Sequence, residues 1–138
     1  MAEQAKSAAR PRPLSPHLQI YRWPVTMAGS IVHRATGIAL AAGTIVLAWW
    51  LMAIASGPAA FDTFSDAARN PLGQLILFGF AWSLAYHLLN GLRHLAWDAG
   101  WGFDIRTANR SGILVFVFSL LIAIAVFAYA YAARGVRL

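Results

Sequence analysis

LGQLILFGFAWSLAYHLLNGLRHLAW, residues 72–97, decides the reading of this chain. The run is apolar enough and long enough to cross a bilayer, whose ~30 Å hydrocarbon core needs ~20 residues of helix. It nevertheless carries His87 and His94. Ionisable side chains at membrane depth are costly and mark function as a rule. Seven residues is nearly two turns at ~3.6 per turn, so both imidazoles leave the same face, about 10 Å apart along the axis. One face of this helix addresses something polar, coordinating or redox-active.

The rest of the chain agrees with a membrane setting. Of 138 residues, 59% are hydrophobic and 12% charged, far from the mix of an ordinary soluble domain. Two more apolar runs flank the first, so the spans are read as about 24–56, 72–97 and 111–133. Between them lies too little polar sequence for a water-soluble domain. The fold class is an all-α membrane protein with three transmembrane helices (24–138) behind a cytoplasmic and interfacial N-terminal segment (1–23). Cysteine is absent, which excludes disulfides, thiol chemistry and iron–sulphur ligation by this chain.

Basic residues near the span ends set the orientation. Lys6, Arg10, Arg12, Arg22, Arg34, Arg93, Arg106 and Arg110 fall on the side of the N-terminus and second loop, against Arg69, Arg134 and Arg137 on the other. The excess places the N-terminus in the cytoplasm. Topology and anionic lipid thus account for the net charge of +6, and nucleic acid is not an expected partner.

The first 13 residues are polar and Pro/Ala-rich, a tail and not a secretory signal. Leu14 to Trp23, with Leu18, Ile20 and Tyr21, is expected at the interface, its aromatic groups at headgroup level. Pro24 can open the first span because its missing amide hydrogen would have had no helical partner there. Ser30 and Arg34 then lie one turn apart on one face with His33 beside them, a polar cluster just below the surface. Residues 56–71 contain Gly57-Pro58 and Asn70-Pro71 and read as a short outer loop with room for one helical turn. The third span, with Ser119 as its one interior polar residue, reads as packing and lipid contact. No phosphate-binding loop, carboxylate pair within a span or nucleophilic triad is present, so hydrolytic and phosphoryl chemistry have no support.

The histidines admit two readings each on physics alone. His87, roughly 15 Å from the end of its helix and so near the midplane, either hydrogen-bonds a neighbouring helix or ligates haem iron, with Gly91 one turn on leaving a gap for the macrocycle. Arg93 and His94 either snorkel to the headgroups or pair with haem propionates. Ser30, His33 and Arg34 either snorkel or donate hydrogen bonds to the carbonyl oxygen of a lipid-soluble ligand such as a quinone.

Three motifs resolve this choice by resemblance. Arg12-Pro13-Leu14-Ser15-Pro16-His17-Leu18-Gln19-Ile20-Tyr21, Ser30-Ile31-Val32-His33-Arg34-Ala35-Thr36-Gly37 and His87-Leu88-Leu89-Asn90-Gly91-Leu92-Arg93-His94-Leu95-Ala96-Trp97-Asp98 stand in the order found in the cytochrome b membrane-anchor subunits of succinate dehydrogenase, which the chain resembles from Arg12 to about Ala133. The resemblance implies a haem-binding helical bundle shared with a partner anchor subunit, in respiratory complex II. That complex also contains a flavoprotein that oxidises succinate and an iron–sulphur subunit that passes electrons to ubiquinone. It implies His87 as an axial ligand of haem b, with the second axial histidine from the partner, and His33, Arg34 and His94 around the haem. It implies Ser30 and Arg34 at the ubiquinone site, with Trp23 and Leu18 as further wall residues, and no dicarboxylate site on this chain.

Three rivals remain as expectations to test: a purely structural anchor without haem, an ion or proton path through His33, His87 and His94, and an anchor of a fumarate reductase running the reverse reaction. An initiator methionine and no Arg/Ser-rich amphipathic presequence favour a bacterial inner membrane.

Overall fold

A computed structural model describes residues 22–135, which form four helices: α1 (Val25–Ser56), α2 (Pro58–Arg69), α3 (Pro71–Asp98) and α4 (Ile105–Gly135). Leu18 and the rest of the first motif lie outside the described residues. Three helices are long and apolar enough to cross a membrane: Val25–Ser56, Pro71–Asp98 and Ile105–Ala133. At ~1.5 Å per residue each exceeds a ~30 Å core, which a membrane accommodates by tilt or by helix ends projecting into the headgroups.

Local chemistry places the breaks. Pro24, extended at φ −70° and ψ 146°, precedes α1. Gly57 ends it at φ +101°, in the left-handed region where a Cβ is strained, and Pro58 starts α2 at once. Asn70 opens α3, its Oδ1 accepting from the Gly73 amide at 2.8 Å, with Pro71 next. After α3 the chain turns through Gly100 and Gly102, both at positive φ, and Asp104 accepts from the Thr107 amide at 3.1 Å to start α4.

Two expectations change here. The connection between the first two spans is a helix of 12 residues and not a loop, because its turn signals sit at its ends, where Gly57 and Asn70-Pro71 act as stop and start. Phe64 of α2 meets Trp49 of α1 edge to face at 4.9 Å, so α2 lies back on α1. The last helix begins at Ile105, ahead of the 111 read from hydropathy. The Asp104 cap carries the helix through the polar stretch before the apolar run.

α3 is the central helix, packing on α4, α1 and α2. Its buried positions Ser83, Tyr86, Asn90 and Arg93 recur at helical spacing, and those of α4, Ala108, Val115, Ser119 and Ala123, are small or medium in size. Small residues let membrane helices approach closely, where packing and hydrogen bonds hold them together. Tyr86 is fully buried; its hydroxyl donates to the Gly29 carbonyl of α1 at 3.0 Å while its ring meets Phe116 of α4 at 4.9 Å. One side chain thus ties all three spans. α1 buries only Gly29, Thr36 and Ala53, and Ile38 and Ile45 are more than 70% exposed. Apolar surface of that kind belongs against lipid or other membrane helices.

Candidate functional site

Where the first half of α1 crosses the second half of α3, three imidazoles meet. The rings of His33 and His87 stack at 3.9 Å with planes 11° apart, and His94 lies 5.4 Å from His33 on its other side. The spacing in α3 puts His87 and His94 on one face; α1 inserts His33 between them. Thr36, buried, stands one turn on from His33 and also reaches His87.

Contacts at His87 are asymmetric. Its Nδ1 lies 3.2 Å from the His33 carbonyl and 3.3 Å from Thr36 Oγ1. Its Nε2 has no hydrogen-bond partner among the described residues. Gly37 backs the ring: a Cβ there would sit 3.2 Å from His87 Cε1. Gly91, the expected gap, faces open space, with nothing among the described residues within 4 Å of where its Cβ would be. Among the described residues no three His, Cys, Asp or Glu side chains converge on a common metal position, so the histidine trio is no metal cage of its own.

Next to the trio lies a cavity of about 320 Å³ lined by Thr26, Met27, Ser30, Arg93, His94 and Trp97. Small-molecule sites begin at about this size. Ser30 is on its wall. Arg34 is not: it is exposed, its Nε donating to the Ser30 carbonyl one turn back at 3.4 Å. Trp23, 63% exposed ahead of α1, does not line the cavity either.

Arg93 departs most from the snorkelling reading. Only 8% exposed, it donates from Nε to Ser111 Oγ at 3.0 Å, from Nη1 to Asn90 Oδ1 at 3.2 Å and from Nη2 to the Ala108 carbonyl at 2.9 Å, and its guanidinium lies 4.0 Å from the Trp97 ring centroid. Every acceptor is neutral. The arginine thereby fastens the end of α3 to the start of α4 and borders the cavity. Asn90 Nδ2 and His33 Nδ1 are buried with no partner among the described residues.

Sequence reasoning passed over Thr36, Tyr86 and the buried role of Arg93. A signal existed for two of them, since Tyr86, Asn90 and Arg93 are spaced by four and three on one face of α3. Nothing in the sequence marks Thr36 as facing His87, because that contact joins two helices 51 residues apart.

Known proteins with this pattern are membrane subunits. Residues 8–126 match the model of the succinate dehydrogenase/fumarate reductase transmembrane subunit family. The chain is 47% identical over 111 residues to the succinate dehydrogenase cytochrome b556 subunit of Paracoccus denitrificans, covering 80% of this chain and 85% of that one. It is 41% identical to the subunit of that name in Rickettsia typhi, over 80% of this chain and 86% of the other. To the mitochondrial cytochrome b560 subunit of Sus scrofa it is 39% identical, over 84% of this chain and 70% of the other. With three spans, the polar cluster between the first two and a match over most of its length, the chain belongs to the succinate dehydrogenase/fumarate reductase transmembrane subunit family.

Proposed function

We propose that this chain is the membrane-anchor cytochrome b subunit of a succinate:ubiquinone oxidoreductase, respiratory complex II, in a bacterial inner membrane with its N-terminus in the cytoplasm. A second anchor subunit, an iron–sulphur subunit and a flavoprotein complete the complex, and succinate is oxidised on the flavoprotein, away from this chain. The observation that carries the reading is His87: midway along a membrane helix, its Nδ1 is engaged by α1 while Nε2 has no partner among the described residues, and the open face at Gly91 leaves room beside it.

A neutral imidazole so held suits an axial ligand of haem b, with the second axial histidine supplied by the partner anchor. Bound there, haem b provides a one-electron redox centre within the membrane. His33 and His94 flank His87 and fit the haem surround, and Arg34, one residue from His33, carries a charge that a propionate would neutralise.

The cavity at Ser30 suits the head group of ubiquinone. Reduction takes two electrons, delivered by the iron–sulphur subunit, and two protons, and yields the quinol. The Ser30 hydroxyl can donate to a quinone carbonyl oxygen, and Arg34, swung from its own helix toward that oxygen, would stabilise negative charge developing there. The resemblance also assigns Trp23 and Leu18 to the ubiquinone site.

The test is a reduced-minus-oxidised visible spectrum of the purified complex beside the His87→Ala variant, with all partner subunits present in both. Loss of a low-spin b-type signal in the variant supports the reading; an unchanged signal overturns the ligand assignment. In the same preparations, Ser30→Ala should lower ubiquinone reduction at least about 10-fold while succinate oxidation by an artificial acceptor persists. Equal quinone turnover would remove Ser30 from the site.

A further inference from the structure

The Thr36 hydroxyl sits in a triangle of polar atoms at the crossing of α1 and α3. Thr36 Oγ1 is 2.9 Å from the His33 carbonyl of its own helix, His87 Nδ1 is 3.2 Å from that carbonyl, and Thr36 Oγ1 and His87 Nδ1 are 3.3 Å apart. A hydroxyl has one hydrogen to donate, and the shortest of these contacts directs it to the carbonyl. Toward His87, Thr36 therefore presents a lone pair. The carbonyl presents one too. A bare Nδ1 facing two acceptors would be repelled by both, so the arrangement selects the tautomer with hydrogen on Nδ1 and the ring lone pair on Nε2. Gly37 supports this from the adjacent position: a Cβ there would press on Cε1, so a glycine lets the ring reach the triangle.

We propose that Thr36 is a positioning residue for His87: with the His33 carbonyl it holds Nδ1 as the protonated nitrogen and turns Nε2 away from α1 as the ring's single ligating atom. The proposal rests on His87 being a haem ligand. A ligating histidine is commonly oriented through its second nitrogen, and a hydrogen bond there fixes the ring and raises its basicity as a ligand. A more basic ligand favours ferric over ferrous iron. Thr36 is thus placed to keep the midpoint potential of the haem low and its geometry single.

The test compares wild type, His87→Ala, Thr36→Val and Thr36→Ser in the assembled complex, by haem content per flavin, redox titration and low-spin electron paramagnetic resonance. Valine matches threonine in shape and lacks the hydroxyl; serine keeps it. Thr36→Val should raise the midpoint potential, shift the low-spin signal and weaken haem retention by about 10-fold, and Thr36→Ser should restore all three. A Thr36→Val complex with wild-type potential and resonance signal, where His87→Ala has lost the haem, would overturn the positioning role and leave the haem reading intact. An unaltered haem in His87→Ala would overturn both. If Thr36→Val does not assemble, Thr36→Ala makes the same comparison without a methyl against the ring. Failure of both to assemble, when His87→Ala does, assigns the hydroxyl to folding and also overturns the proposal.

Discussion

The same two helices, α1 and α3, meet in opposite ways at their two ends. Near the start of α1 they are joined by polar contacts: Tyr86 to the Gly29 carbonyl, His87 to Thr36 and the His33 carbonyl. Toward α2 they meet by shape. The Phe80 ring occupies the place where a Cβ on Gly43 would stand, and the groove beside it is lined by Val46, Leu47, Trp50, Phe64 and Leu77. In a bilayer, apolar side chains gain nothing by leaving lipid for each other, so the shape-packed end is held by dispersion and the polar end by hydrogen bonds that lipid cannot replace. Chemistry collects at the polar end because imidazoles, hydroxyls and a guanidinium are tolerated at membrane depth only where they satisfy one another or a ligand.

That contrast can be broken most severely at Arg93. Arg93→Met keeps the apolar stem but leaves Asn90 Oδ1 without its donor and removes the guanidinium bonds to Ser111 Oγ and the Ala108 carbonyl, which should cost roughly 2–3 kcal/mol and lower the thermal unfolding midpoint of the solubilised complex. If the chain holds haem as proposed, the haem spectrum should change with it, since Arg93 borders the cavity beside His94. A smaller effect is expected at the other end. Gly43→Ala forces Phe80 from its seat, costing about 1–2 kcal/mol by overpacking, while the haem spectrum stays that of wild type. A spectral change in Gly43→Ala as large as in Arg93→Met would show the two ends to be coupled. Least should follow from Tyr86→Phe, which removes one interhelical hydrogen bond and leaves the ring in place: about 0.5–1 kcal/mol in the same melt.

Legibility followed the range of the interactions. The spans could be read because hydropathy and length are sums along the chain. The faces of Ser30 with Arg34 and of His87 with His94 could be read because one helix fixes its own register. Helix α2 is not legible in the same way, because Gly57-Pro58 and Asn70-Pro71 are turn signals in either case and only the fold shows that they bound a helix, whose end is closed by the Asn70 amide donating to the Asp66 carbonyl. The place of Arg93 is not legible either, because a guanidinium near a membrane boundary has two low-energy outcomes, snorkelling or burial among acceptors. Which one prevails depends on whether another helix supplies the acceptors, here Ser111 and the Ala108 carbonyl of α4.

By itself the sequence determined that this is a helical membrane protein, how many times it spans, which helices bear the histidines and, through three motifs in order, which family it resembles. Each of these rests on local periodicity or on residue identity. Only the tertiary structure decided that His33 lies between His87 and His94, that Thr36 and the His33 carbonyl take Nδ1 of His87, and that Ser30 and not Arg34 lines the cavity. Those are relations between helices, set by how closely small residues such as Gly37 let one backbone approach another's side chain. No periodicity within a single helix encodes that approach.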